Sequence, residues 1–329
     1  MKQPSRDWKE IIQPDEEQRY TRYTEIFRNI QKEKSAKYGN GRALHRKQLL
    51  AAKAEFEVLT GLPEYASFGL FAKPGRYEAW IRLSNGGLDV KSDSTPDIRG
   101  FAVKVRGVSG PSALGTGNTD CQDFLLINQE SFGVKSSIPF VELVQAAAKG
   151  PFSIFGFFMK EHGFFGAFSQ MKQALGRIGK KFTGFATEPF FSAVPISCGP
   201  YAVRIRMLPA SKDENPNAKN SWGADLSQRL KNNMLTYEFQ LQFYADEKST
   251  PIEDASVNWE ESEIPYLTVA KLHLLKQDTD SPQGKEFSEL AEKSVFDPWK
   301  ALADHRPLGD VMRARKAVYY ASQKERGAS

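Results

Sequence analysis

The residues best suited to acid–base or metal chemistry in this sequence are four histidines, His45, His162, His273 and His305. No two of them have the spacing of a helical metal-binding pair, and the HExxH pattern is absent. A GxSxG nucleophile elbow is also absent, which leaves Ser-His-Asp chemistry open only on some other scaffold. The GTGN segment at 115–118 lies in a loop and does not match a nucleotide-binding fingerprint. Histidine chemistry in this chain would therefore depend on single residues.

The surroundings of the four histidines differ. His162 lies beside a glycine, which is typical of a surface or loop position. His273 falls within a predicted strand and His305 directly before a predicted helix, so both are interpreted as structural. The segment GRALHRK around His45 indicates, by itself, an ordinary loop histidine. Other segments of the chain change that interpretation, as described below.

Composition limits the classes of function. The 329 residues carry a formal net charge of +5, with 40% apolar and 26% charged residues, which is enough for a sizeable core. No dense Lys/Arg block is present, so a nucleic-acid partner is not expected, although some positive charge could face an anionic cofactor. The two cysteines, Cys121 and Cys198, form no CxxC pair and no disulfide framework, which fits a reducing compartment.

Targeting and membrane signals are weak. The first ten residues, MKQPSRDWKE, lack the apolar run of a signal peptide. The most apolar stretch, around 151–158, is far shorter than the ~20 residues that a spanning helix requires. We therefore expect a cytoplasmic protein without stable membrane insertion.

The order of predicted elements favours an α+β protein. Alternating or wholly apolar runs predict eight strands, at 54–59, 67–71, 76–84, 98–105, 124–127, 201–207, 237–244 and 267–274. The weakest of these is 67–71. Helices are predicted at 14–37, in parts of 138–180, at 285–294 and at 308–324. No βαβ rhythm or internal repeat occurs, so the pattern favours a closed antiparallel barrel, or a sandwich, with flanking helices.

The first helix has its own character. It is highly charged, and its single modest apolar face comprises Tyr20, Tyr23, Phe27 and Ile30. This face could cover the domain surface or form a dimer contact. We predict an N-terminal helical arm at 1–39 and one main domain at 40–329.

Four segments, taken in order, resemble the catalase family. They are RALH at 42–45 followed by KAEFEVL, WIRLSNG at 80–86, PDIRGFAVKV at 96–105, and an RxxxY pattern at 315–319 that continues to Arg326. The third is the most specific, because it is close to the Asp-x-Arg-Gly-Phe-Ala-Val-Lys core of catalases. The resemblance covers about residues 40–326 and is closest to short catalase-related proteins that lack the C-terminal helical region of full catalases. It implies a catalase-like barrel that holds haem b.

The resemblance also implies residue roles on the proximal side of the haem. Tyr319 would be the phenolate ligand of the haem iron. Arg315, four residues earlier on the same helix face, would donate a hydrogen bond to this oxygen and favour its ionised form. Tyr320 is the neighbouring alternative, but its spacing to Arg315 does not match the pattern.

On the distal side, the resemblance makes His45 the acid/base that moves a proton between the two peroxide oxygens. Ser84 would hold the other ring nitrogen of His45. Arg42, Arg82 and Arg326 would bind the two haem propionates, because guanidinium pairs well with carboxylate.

One departure from the catalase pattern concerns the distal asparagine. Ungapped comparison places Asp120 or Cys121 at that position, and Asn118 or Gln122 after a local shift. Loss of the asparagine would weaken hydrogen peroxide disproportionation and favour a peroxidase. A Phe-rich region that includes Phe132, Phe140 and the run 155–168 could line an apolar access path.

The predicted function is a haem-dependent peroxidase that reduces organic hydroperoxides or hydrogen peroxide with a small electron donor, in an oxidative-stress setting, with weak catalase activity at most. A haem-dependent fatty-acid hydroperoxide isomerase or lyase is the second hypothesis. A non-enzymatic haem-binding protein is the third. A homodimer is expected by resemblance.

Overall fold

The computed structural model describes residues 1–179, 181–211 and 221–328, apart from several side chains between 161 and 178. The side chain of His162 is one of these, so the prediction made for it lies outside the described residues. The strands are β1 (Gln48–Val58), β2 (Gly75–Asn85), β3 (Arg99–Pro111), β4 (Asn118–Ile127), β5 (Phe190–Phe191), β6 (Ile196–Cys198), β7 (Tyr201–Pro209), β8 (Leu235–Phe243) and β9 (Leu267–Leu274). The α-helices are α1 (Glu16–Tyr38), α2 (Ser137–Lys149), α3 (Pro151–Ile178), α4 (Trp222–Asn232), α5 (Pro282–Lys293) and α6 (Asp310–Arg326).

The strands form a closed antiparallel barrel. Their order is β5-β4-β3-β2-β1-β9-β8-β7-β6, and β5 pairs with both β4 and β7. This double pairing closes eight strands into a ring, while β6 pairs with another part of β7. The predicted α+β class and the catalase-like closed barrel of about eight strands with flanking helices are confirmed.

Alternation along the strands separates the barrel interior from its outer wall. In β2, Ile81 and Leu83 belong to the main core cluster, whereas Arg82 and Ser84 alternate with them and face outward. Aromatic rings fill the interior: the Phe239 centroid lies 5.0 Å from that of Phe56 and 4.8 Å from that of Phe124. Because side chains fill a barrel of this size, space for a large ligand lies outside its wall.

The weakest predicted strand, 67–71, is wrong. This segment lies in and between two short 3₁₀ helices, Glu64–Ala66 and Gly69–Ala72. Gly69 has a left-handed φ of 55°, which an extended strand does not allow. The next amide, that of Leu70, donates to Nε2 of His305 at 2.9 Å instead of joining a strand ladder.

Helix α1 packs against the rest of the chain. Tyr23, Phe27 and Ile30 are buried and form a cluster with residues of α2 and α6, including Val141 and Ala314. The apolar face predicted for this helix therefore covers the domain surface in this structure.

The Phe- and Gly-rich region is helical, as predicted, and forms α2 and α3. Helix α3 is broken at Gly163, where φ is 67° and ψ is 177°. Among the described residues, no helix combines the length and apolar character needed to cross a bilayer.

His305 has a structural environment, in agreement with its interpretation from sequence. Its side chain is 1% exposed, and Nδ1 lies 3.3 Å from the carbonyl oxygen of Ser197. Burial lowers the pKa of His305 to about 4, which outweighs the opposing effect of that carbonyl. The imidazole is therefore neutral in the folded protein at neutral pH.

The depressed pKa of His305 predicts acid sensitivity. Below pH 6.5 the unfolded chain binds a proton at this residue and the folded chain does not, so folding stability falls as the pH drops from about 6.5 to about 4. The full effect is roughly 3 kcal/mol in the free energy of unfolding. Denaturant unfolding at pH 7 and pH 4.5 measures it. A His305→Gln variant should lose less stability between these two pH values than the native protein, and an equal loss in both proteins would contradict the prediction.

Candidate active site

A large cavity lies between the barrel wall and the helices α1, α2 and α6. Its empty volume is about 1310 Å³ including the open mouth, above the range of about 300–1,000 Å³ that is usual for ligand pockets. All seven residues proposed from the sequence line it, namely Arg42, His45, Arg82, Ser84, Arg315, Tyr319 and Arg326. Residues from both ends of the chain thus meet at one site.

His45 is held at the cavity by both its backbone and its ring. Its φ is 52°, a left-handed value that is uncommon for residues other than glycine. The His45 amide donates to the carbonyl of Gly86 at 3.0 Å, and its carbonyl accepts from Nη2 of Arg82 at 3.0 Å. Nδ1 lies 3.0 Å from Oγ of Ser84, the contact that the family resemblance implied.

Gly100 lets the histidine approach the barrel wall. A Cβ atom at this position would lie 2.5 Å from Nδ1 of His45 and 2.7 Å from Oγ of Ser84, which is closer than real Cβ contacts. The glycine in the DIRGFAVK segment is therefore explained by the close packing of the His45–Ser84 pair against β3.

The electrostatic environment favours a neutral His45. Burial is the largest cause, and the positive charges of Arg82, Arg315 and Arg42 add to it, so the pKa of His45 falls to about 3. At neutral pH the ring can accept a proton. If Nδ1 donates its proton to Ser84, then Nε2 carries the free lone pair.

Helix α6 presents a tyrosine–arginine pair to the same cavity. Nη2 of Arg315 donates to the hydroxyl oxygen of Tyr319 at 2.8 Å, and the guanidinium lies 4.9 Å from the ring centroid. The four-residue spacing places both side chains on one face of the helix. Tyr320 is 59% exposed and is not part of the cavity lining, so the structure separates the two neighbouring tyrosines.

The other three arginines meet at the C-terminal end of α5. Glu292 accepts there from Nη1 of Arg42 at 2.6 Å and from Nη2 of Arg82 at 2.8 Å. Arg326 donates to the carbonyl of Glu292 at 3.1 Å and to that of Ser294 at 2.9 Å. These arginines also complete the end of the helix, whose last carbonyls lack partners within the helix. No sequence motif singled out Glu292.

The rest of the segment 96–105 is structural. Asp97 accepts the amide of Gly87 at 3.0 Å, and Arg99 donates to the carbonyls of Asp93 and Thr95. Lys104 forms a buried ion pair with Asp123, with distances of 2.6 and 2.8 Å to its two oxygens. Only Gly100, Phe101 and Ala102 of this segment reach the cavity.

None of the four residues considered for the distal asparagine lines the cavity. Gln122, for example, is buried elsewhere, where its Oε1 accepts the amide of Leu302 at 2.9 Å. Asn128 directly follows Ile127, the β4 residue that pairs with Gly100, but it is not among the cavity-lining residues either. Its Oδ1 accepts the amide of Arg99 at 2.7 Å. Among the described residues, the cavity lining contains no asparagine.

The apolar part of the cavity comes partly from the Phe-rich region. Phe132 and Phe140 line the cavity, with ring centroids 4.7 Å apart. None of the described side chains between 155 and 168 lines it. The expected access path is therefore limited to the first two phenylalanines.

Comparison with solved structures identifies the architecture. Catalase A from Saccharomyces cerevisiae is 16% identical over 88% of this chain and 61% of its own length, with a TM-score of 0.67. A fungal catalase gives 16% identity over 87% of this chain and 59% of its own length, with a TM-score of 0.67. The chain has the catalase fold. A bacterial catalase shares this fold at 15% identity over 87% of this chain and 57% of its own length, with a TM-score of 0.63.

The chain spans about three fifths of the length of these catalases. No family model and no curated protein sequence matches it. At 15–16% identity the catalase likeness concerns the fold, so the chemistry has to be argued from the cavity.

Proposed function

We propose that this catalase-fold chain is a haem-dependent peroxidase that reduces organic hydroperoxides or hydrogen peroxide. The observation that carries the proposal is the pairing of His45 with Ser84 and of Arg315 with Tyr319 in the lining of a single cavity. The first pair suits proton transfer, and the second suits an oxygen ligand to a metal. Cytoplasmic location and a homodimer stay predictions.

The residues of the cavity fit a haem group. Much of the lining is apolar, including Leu125, Ile127, Val311 and Val318, as a porphyrin face requires. Tyr319 would ligate the iron through an oxygen that already accepts a hydrogen bond from an arginine. Arg42, Arg82 and Arg326 would hold the carboxylates of the cofactor. Haem would supply the redox chemistry that passes electrons from the donor to the O–O bond, which side chains cannot supply themselves.

His45 would move the proton that O–O cleavage needs. In its neutral form, Nε2 takes the proton from the peroxide hydroxyl and returns it to the oxygen that leaves as an alcohol or as water. Ser84, whose Oγ lies 3.0 Å from Nδ1, would fix the ring orientation and leave Nε2 for the proton transfer. The overall reaction converts a hydroperoxide, two protons and two electrons into an alcohol and water, and the electrons come from a small reduced donor.

The apolar wall favours an organic substrate. Phe132 and Phe140 would contact the organic group of a hydroperoxide and offer it no hydrogen bond. This apolar wall supports the binding of an organic hydroperoxide, and the proposal does not require fast disproportionation of hydrogen peroxide.

Donor dependence tests the proposal. Protein produced with haem should consume cumene hydroperoxide with one equivalent of a two-electron donor oxidised for each hydroperoxide. The matched assay uses a fatty-acid hydroperoxide with no donor, and steady turnover there would replace the peroxidase by the isomerase or lyase of the second hypothesis. A haem-loaded protein inert in both assays would leave the non-enzymatic haem-binding protein. No haem uptake would defeat the proposal as a whole.

A further inference from the structure

We infer that Glu292 is a positioning residue for three of the four arginines that line the cavity, namely Arg42, Arg82 and Arg326. It holds them in place and adjusts their combined charge to that of a dicarboxylate cofactor. This inference rests on the proposed function, since it concerns how the chain recognises haem. Glu292 lies at the end of α5 and is one third exposed, with 34% of its side chain accessible.

The carboxylate of Glu292 contacts two of the arginines through both of its oxygens. Oε1 accepts from Nη1 of Arg42 at 2.6 Å, and Oε2 accepts from Nε and Nη2 of Arg82 at 3.0 and 2.8 Å. Arg326 is fixed beside them by the carbonyls of residues 292–294. One short segment therefore sets the positions of three guanidinium groups.

The arrangement places Glu292 behind the arginines. All three arginines line the cavity, whereas Glu292 is not among its lining residues. Arg82 lines the cavity, and among the described residues no hydrogen bond reaches its Nη1, so this nitrogen can still donate to a ligand. Glu292 can thus stay paired while a ligand carboxylate binds from the cavity, and the two anions do not compete.

The charge count agrees with this role. Burial and the neighbouring positive charge of Arg82 lower the pKa of Arg42 and that of Arg326, which reflects the cost of grouping these cations. The charge of Glu292 opposes this effect at all three arginines. Three guanidinium charges and one carboxylate leave a net charge of +2, which two propionates would neutralise.

The role of Glu292 is tested by titrating two ligands into cofactor-free protein and following the Soret absorbance. The ligands are haem and its dimethyl ester, whose esterified propionates carry no charge. Native protein should prefer the diacid. Glu292→Gln should lose about tenfold to a hundredfold in affinity for haem, as is usual when a residue supporting a metal site is removed, and little for the ester. The control is Glu289→Gln, the same charge change on the same helix at a 75% exposed side chain whose ion pair, at 4.0 Å, is with Lys293. It should behave like the native protein.

The preference for the diacid over the ester distinguishes a positioning role from an effect on general stability, because a loosened fold would weaken the binding of both ligands alike. An unchanged preference in Glu292→Gln would overturn the inference, and tighter haem binding would show that Glu292 competes with the propionates. If Glu292→Gln does not fold, Glu292→Asp retains the charge at a shorter reach and should lose part of the preference, and no loss there would also overturn the inference. Failure of the native protein to bind haem would instead refute the proposed function.

Discussion

A Tyr319→Phe variant is expected to fold but to lose the iron coordination of the native protein. The substitution removes one hydroxyl and keeps the ring on α6, so the free energy of unfolding should change by only about 1 kcal/mol, the usual net value of a hydrogen bond. The lost oxygen is, however, the proposed ligand to the haem iron. Arg315 would lose its hydrogen-bond acceptor at 2.8 Å.

Absorption spectra of haem-supplied native and variant proteins measure this effect. The native spectrum should show a Soret band of high-spin ferric, tyrosinate-ligated haem, and this band should be lost or shifted in Tyr319→Phe. The control is Tyr320→Phe, which removes the same atom from the adjacent, 59% exposed side chain and should give the native spectrum. A native spectrum from Tyr319→Phe, or a changed one from Tyr320→Phe, would show that the ligand has been assigned to the wrong residue.

The strong strands of the barrel could be predicted because burial imposes a two-residue period on them. In β3, Phe101, Val103 and Val105 are wholly buried, as their alternation predicted. The strand at 267–274 has the predicted bounds. Strand β5 could not be predicted, because its two residues contain no period, yet it closes the barrel.

Helix α4 was missed although its sequence carried a signal. Trp222, Leu226 and Leu230 are buried at four-residue spacings, which makes one apolar face. Its glycine, Gly223, and its asparagine, Asn232, weaken the local helix propensity, so tertiary packing decides the outcome.

The candidate site could be predicted from resemblance and not from spacing. His45 and Tyr319 lie at opposite ends of the sequence, and nothing in either segment alone indicates that they share a cavity. Glu292 was missed because its surroundings are set by long-range contacts. Its partners are arginines on three other segments of the chain.

The largest loss of activity with haem retained is expected for His45→Ala. The proposed reaction needs a group that takes a proton from one peroxide oxygen and gives it to the other, and a positioned acid/base of this kind usually contributes about 10²–10⁴ in rate. The low pKa of about 3 keeps His45 in the form that accepts the first proton. Alanine has no such nitrogen, so the turnover number for cumene hydroperoxide should decrease by a factor of about 10²–10⁴ while the Soret band persists.

His273→Ala is the matched control, because it removes an imidazole that pairs instead with Glu57 at 2.9 Å and with Thr236 at 2.9 Å. His273 is not part of the cavity lining, so this variant should keep the native turnover number. Full peroxidase activity in haem-loaded His45→Ala would remove His45 from the proton path. Among the described side chains no other histidine lines the cavity, so a second histidine would not explain such a result. Equal losses in both variants would point to a general effect on the fold. A loss confined to His45→Ala, with haem content unchanged, would place proton transfer at the His45–Ser84 pair.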